Sequence, residues 1–367
     1  DGSVLTVAAE KFSNAGKGGQ ITLEAGSAIN GVADTTALLD LQSGSRINLS
    51  VDEYVAGSYT TVGSSAFYGQ FEGTLHLRAP RAGSDVRLAA VGSTIEGGSS
   101  ILAEAFRVYQ PAGGVMNRAL RDGINADNAA FINAGEAAIT SRLLAAAPDL
   151  ADIFVLAPGV EVAHAAGDLT LGLANVTGTT NIEGLSDADW DLSAWRYGSR
   201  QAPGVLTMRA SGDLVFNNAL SDGFAPISKG TSANYADRGH SLLWLAPLQS
   251  INGSLPVNTQ SWSYRLSSGA DFAAADFRSN LGLEALGGVQ PAKGSVLVGE
   301  FFATAVPNAS TSGAGAGVGR DGQTADTIRI NNASNNNDRG TRYEVIRTGT
   351  GSIEVAAGRD VQLRNPF

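Results

Sequence analysis

"GVLTMRASGDLVFNNAL" (204–220) and "GSIEVAAGRDVQLRNPF" (351–367) are two versions of one sentence. Laid over one another without a gap, they share Gly204 with Gly351, Ala210 with Ala357, Asp213 with Asp360 and Asn218 with Asn365. Between those points the apolar positions coincide: Leu206 with Ile353, Met208 with Val355, Leu214 with Val361, Phe216 with Leu363. A third version, "PGVEVAHAAGDLTL" (158–171), matches "PGVLTMRASGDLVF" (203–216) at Pro, Gly, Val, Ala, Gly, Asp and Leu. "GGQITLEAGSAI" (18–29) keeps the Gly, the alternation and the closing Ile. The unit is a strand, a tight Gly-Asp corner and a second strand. Self-similarity of this kind is what stacked repeats leave in a sequence.

The same period-two alternation runs through "GQITLEA" (19–25), "SRINLSV" (45–51), "GTLHLRA" (73–79), "SDVRLAAV" (84–91), "GDLTLGL" (167–173), "GSVLVGE" (294–300) and "DTIRI" (326–330). Apolar residues at every second position over four to seven residues mark half-buried strands. Gly, Ser, Asn or Asp brackets nearly every one and supplies the turns. Two architectures suit this pattern. A β-sandwich also alternates and also uses Gly-rich turns. A parallel β-helix gives the additional reason for near-identical strand-corner-strand units, because each unit stacks on the one below. The expectation is therefore an all-β parallel β-helix, a β-solenoid.

"AAFINAGEAAITSRLLAAA" (129–147) breaks the alternation. Its strong helix formers, with apolar Phe131, Ile132, Ala138, Ile139, Leu143 and Leu144, predict a helix ended by "PDL" (148–150). The chain then divides into coils over 1–110, a helical insertion over 111–156, coils over 157–220, an elaboration of long lateral loops and strands over 221–293, and coils over 294–367 that carry a flexible Gly-rich loop at 308–323.

Composition narrows the function. Of 367 residues 46 are Gly, 16% are charged and 43% apolar, so a core of Val, Leu, Ile and Ala is affordable. There is no Cys, which removes disulfides, thiolate metal sites and cysteine nucleophiles. The net charge of −10, without a basic cluster, gives no footprint for nucleic acid. "SLLWLAPL" (241–248) is too short to span a bilayer, so no membrane insertion is expected. The chain opens in mid-pattern with "DGSVLTV" and reads as a segment of something larger.

Several phrases resemble one family. "PGVLTMRASGDLVFNNALSDGF" (203–224), "SLLWLAPLQS" (241–250), "SWSYRLSSGADF" (261–272) and "YEVIRTGTGSIEVAAGRDVQL" (343–363) resemble the later part of filamentous-haemagglutinin-like exoproteins of Gram-negative bacteria. The likeness covers roughly residues 157–367. It implies a right-handed parallel β-helix exported by two-partner secretion, with an outer-membrane transporter as partner. It further implies a secreted, cell-surface fibre acting in adhesion, aggregation or biofilm. Its implied partners are host or bacterial surface glycans and proteins, and further copies of itself in filaments.

The candidate binding residues are Trp190, Trp195 and Tyr197 in "DWDLSAWRY" and Trp262 and Tyr264 in "SWSY". Flat apolar rings with a polar edge suit stacking on sugars. The competing expectation is that they seal the interior, since Trp262, Tyr264 and Leu266 share one strand face. Asp187, Asp189 and Asp191 alternate in "SDADWDLS" and could share a Ca²⁺, although Leu192 and Gly198 stand where a helix-loop-helix calcium site wants Gly and Glu. No other cofactor is expected. His76, His164 and His240 lie far apart, without zinc spacing, and read as surface histidines. Parallel β-helices also host polysaccharide lyases and hydrolases, for which Asp187, Asp189, Arg196 and Arg200 form the nearest acid-base cluster. The stalk of a contact-dependent toxin-delivery protein is the third alternative. Fold does not decide among them, and a non-enzymatic adhesin is the reading adopted.

Overall fold

The computed structural model describes residues 2–13, 18–26, 28–29, 32–55, 73–172, 190–223, 260–274, 276–288, 292–299 and 345–364. The loop expected at 308–323, the strand expected at 326–330 and His240 lie outside them. Among the described residues the chain is all-β apart from one long helix and short 3-10 turns, and nearly all strand pairs are parallel. It divides into two compact units.

In the first unit (Asp1–Val108, Asp127–Val160 and Tyr197–Val205), Arg46–Asn48 lies between Val4–Thr6 and Thr94–Glu96, with Leu5, Ile47 and Ile95 in register. A second parallel sheet orders Gln20–Glu24, Thr74–Ala82 and Ser100–Tyr109. Ile21, Leu75 and Ile101 form one row there, and Leu23, Leu77 and Ala103 the next. Ala9–Ser13 pairs in parallel with Val51–Val55. Asp85–Val86, folded back on Thr74–Ala82, and Ala28–Ile29, paired with Val32–Ala33, run antiparallel.

The second unit (Tyr109–Ala126, Glu161–Arg196 and Leu206–Phe367) contains three parallel sheets. One orders Val205–Ala210, Ser263–Ser268 and Ile353–Ala357; another orders Val115–Met116, Leu169–Leu171, Leu214–Phe216, Val296–Val298 and Val361–Leu363. The last orders Trp190–Asp191, Leu220–Ser221 and Ile346–Arg347. Among the described residues from Val205 onward, successive strands fall on the three sheets in the same cyclic sequence, and each takes the next place in its sheet. Leu169, Leu214 and Val296 stack in one buried row; Leu171, Phe216 and Val298 stack in another.

The sequence repeat is this stacking. Leu169 and Leu214 coincide when 158–171 is laid over 203–216, and they are partners on neighbouring strands. Leu214 and Val361 coincide in the opening pair and stand two strands apart, with Val296 between them. The Gly-Asp corner has a matching physical reason. Asp168 Oδ1 accepts the backbone N–H of Asp213 at 2.9 Å, and Asp213 Oδ1 accepts those of Gly294 and Ser295 at 2.8 and 2.9 Å. A Cβ on Gly212 would lie 2.2 Å from Asp168 Oδ1, so the corners close only with glycine there. Lys293 Nζ bridges both carboxylates, 2.6 Å from Asp168 and 3.3 Å from Asp213. Asn365, the match of Asn218, lies outside the described residues.

The helix spans Arg118–Leu143, within the expected insertion but beginning eleven residues before the predicted start. "RALRDGINADN" holds Gly, Asn and Asp, which favour turns in isolation. Two devices override them: Asn117 Oδ1 caps the backbone N–H of Leu120 at 2.9 Å, and Ile124, Asn128, Phe131, Ile132, Ile139 and Leu143 form a buried stripe. Within the first unit Arg81 ties the helix down, donating to Asp127 at 3.0 Å and to Asn128, with its guanidinium 4.3 Å from the Phe131 ring centre. Among the described residues no helix is long and apolar enough to cross a membrane.

Candidate functional site

Four of the five candidate aromatics gather in the second unit. Trp190 sits on Trp190–Asp191, Trp195 in the turn that follows, Trp262 just before Ser263–Ser268, and Tyr264 inside that strand. Trp195 lies between the other two indoles, 6.2 Å from Trp190 and 5.8 Å from Trp262, the latter edge to face. Trp262 Nε1 donates to the carbonyl of Trp195 at 3.0 Å. Its backbone N–H donates to Asp222 Oδ2 at 2.7 Å.

Asp222 follows Leu220–Ser221 in "SDG", where Gly223 turns the chain with φ +76°. Arg196 Nη2 donates to both Asp222 oxygens at 2.9 Å, and Nη1 to the carbonyls of Leu192 and Trp195 at 3.0 and 2.9 Å. The Asp222 side chain is wholly buried, and burial raises its pKa against the opposing pull of Arg196. Burial first, then the Asp222 and Asp191 carboxylates, holds the Tyr264 phenol well above its ordinary value. The Tyr264 hydroxyl and Trp190 Nε1 are buried without a hydrogen-bond partner among the described residues.

The rings expected to stack on sugars or to seal the interior are buried. Trp190, Trp262 and Tyr264 are 0% exposed, Trp195 is 5% and Tyr197, in the first unit, is 4%. None of the five presents a face to solvent, so each acts as core packing. The expected shared face of Trp262, Tyr264 and Leu266 is present and buried.

Asp187 and Asp189 lie outside the described residues. Asp191 is half-buried and accepts the Ser193 backbone N–H at 2.9 Å, which makes it a turn cap. Among the described residues no three His, Cys, Asp or Glu side chains are grouped to hold a metal ion. Arg196 is committed to Asp222, and Arg200 to the carbonyl of Ala151 at 2.8 Å.

Sequence reasoning missed the charged groups that the sheets bury. In the first unit His76 is buried, not at the surface: its Nε2 meets Glu104 Oε2 at 2.8 Å, and Arg78 Nε meets Oε1 at 3.1 Å. Arg78 also stacks 3.7 Å from the Phe106 ring centre. In the second unit buried Arg209 faces Glu161 at 3.4 Å, donates to the carbonyl of Asp271 at 3.0 Å and lies over Phe272. Alternation in "GTLHLRA" predicts an apolar and a polar strand face, and nothing local announces that the polar face is covered as well. His164 is half-buried. Each of these buried carboxylates is held against a cationic side chain or histidine of a neighbouring strand.

Compared with known proteins, the chain matches no family model, no curated protein and no solved structure. Its class rests on its own geometry: among the described residues, mostly parallel β-sheets with one helix.

Proposed function

We propose that this protein is the shaft of a secreted, cell-surface fibre, a right-handed parallel β-helix related to the filamentous-haemagglutinin-like exoproteins, which serves adhesion, aggregation or biofilm without catalysis. One observation carries the reading: among the described residues from Val205 onward, the strands fall on three sheets in fixed rotation, two full passes followed by the first two strands of a third. Each pass is then one coil. The right hand follows the general preference of parallel crossovers. A stack of this kind is stiffened by its backbone ladder and repeats every ~4.8 Å, which suits a spacer that projects from a surface. Lateral loops held in a row would give weak contacts with glycans or proteins the strength of avidity. Export through an outer-membrane two-partner secretion transporter belongs to the same reading, and the lack of cysteine suits a chain that is exported unfolded.

The test pairs binding with turnover. The chain is incubated with a panel of bacterial and plant polysaccharides and with whole cells. Retention on cells or glycans without new reducing or unsaturated ends supports the adhesive shaft. Release of such ends would replace it with the β-helix lyase or hydrolase reading.

A further inference from the structure

We propose that the lateral segment between Ser263–Ser268 and Val296–Val298 is a strap that makes three neighbouring strands of the second unit open together. Val205–Ala210, Ser263–Ser268 and Ile353–Ala357 lie side by side in one sheet. In stacked repeats each unit ordinarily touches only its neighbours, so the first and third strands would open independently. The segment ties them from outside. It leaves the middle strand at Gly269 and closes on its own root, where Leu281 donates its N–H to the Gly269 carbonyl at 2.7 Å. It grips the first strand through Arg209, which donates to the carbonyls of Asp271 and Ala274 at 3.0 and 3.4 Å. The same guanidinium lies 4.7 Å from the Phe272 ring centre.

Across the middle strand, Phe277 lies 5.1 Å from the Arg265 guanidinium, and Asn280 Nδ2 donates to the Ser268 carbonyl at 2.8 Å. The third strand is reached twice, by Arg278 pairing with Glu354 and by Leu286. Leu286 occupies a seat made of glycines. A Cβ added to Gly269, Gly294 or Gly358 would stand 3.3, 3.2 or 2.7 Å from Leu286 Cδ1. Gly269 follows the middle strand, Gly294 precedes Val296–Val298, and Gly358 follows Ile353–Ala357. Phe272, Phe277 and Leu286 are all buried in these contacts. Opening the first or the third strand therefore uncovers apolar surface of the strap as well as the strand's own row, an added cost proportional to that area. Strands that share such a cost open as one cooperative block.

Native-state hydrogen exchange of the full chain in rising urea, resolved by peptide mass spectrometry, tests the strap. In the native chain the amides of the three strands should share one opening transition with one urea dependence. In Arg278→Ala with Leu286→Ala, which releases only the third strand, Ile353–Ala357 should exchange roughly tenfold faster or more, as expected for truncating a buried leucine. Val205–Ala210 should keep its native rate, because the Arg209 grip is untouched. Should the double variant not fold, Arg278→Ala alone, at an exposed ion pair, should give the same separation to a smaller extent. Separate transitions for the three strands in the native chain would overturn the proposal. So would a variant in which all three accelerate alike, or in which none does. None of these results bears on whether the chain binds cells, so the proposed function stands or falls separately.

Discussion

Arg196 grips both carboxylate oxygens of Asp222 from a single nitrogen, and the same carboxylate receives the backbone N–H of Trp262. Three segments distant in sequence, around residues 196, 222 and 262, thus meet on one buried acid. Truncating either partner leaves the other charged and unpaired in the interior, at a cost of about 3–5 kcal/mol. Asp222→Ala and Arg196→Ala should each lower the urea midpoint accordingly. The double variant Arg196→Met with Asp222→Leu should recover most of the loss, because it buries no orphaned charge.

The pH dependence of this pair has a definite sign. Burial raises the Asp222 pKa in the folded state, so the folded chain holds that proton more tightly than the unfolded chain does. Its contribution to stability is fully present below the ordinary aspartate value of about 3.9 and is lost as pH rises through the elevated folded value. The stability difference between the native chain and Asp222→Asn should therefore vary across that interval and be flat above it. Equilibrium unfolding at a series of pH values measures this directly.

Tyr264 gives a prediction of the opposite kind. Its hydroxyl is buried and unpartnered, so Tyr264→Phe removes a group that was desolvated without return and should be neutral or stabilising by about 1 kcal/mol. In an ultraviolet titration of the native chain one tyrosine should remain un-ionised well above pH 10, and that silent fraction should vanish in the variant.

At the stacked corners, Lys293 bridges Asp168 and Asp213, and hydrogen bonding to Asp168 raises its pKa. A lysine with a raised folded pKa contributes stability below its ordinary value of about 10.4 and loses it as pH climbs through the folded value. Lys293→Gln and Lys293→Arg should both abolish this part of the alkaline destabilisation, the first because it carries no charge and the second because a guanidinium stays protonated, and only Lys293→Arg should keep the ion pairs. Gly212→Ala should cost about 1–3 kcal/mol through the clash with Asp168, which melting curves would show.

The repeat was legible because register writes it into the sequence: residues that coincide in the alignment are residues that stack, as Leu169 on Leu214 shows. The corner chemistry was legible for the same reason. The aromatic cluster was not, because a strand such as "SWSYRL" states which residues share a face and not whether that face meets water. Asp222 looked like an ordinary turn residue in "SDG", and only the long-range return of Trp262 and Arg196 makes it a buried anchor. Polar alternation alone places His76 at the surface, whereas Glu104 on the neighbouring strand allows it to be buried. The helix start was missed where a cap and tertiary burial outweigh poor local propensity.

The central claim is that the repeats lie in parallel register, one strand apart. Paired cysteines in a chain that has none measure this most directly. Thr170 and Val215 are immediate partners, while Val215 and Gln362 are separated by Leu297. Thr170→Cys with Val215→Cys should oxidise readily to an intramolecular disulfide. Val215→Cys with Gln362→Cys, two strands or ~9.6 Å apart, should remain reduced. Failure of the first pair to close, or ready closure of the second, would contradict the stack.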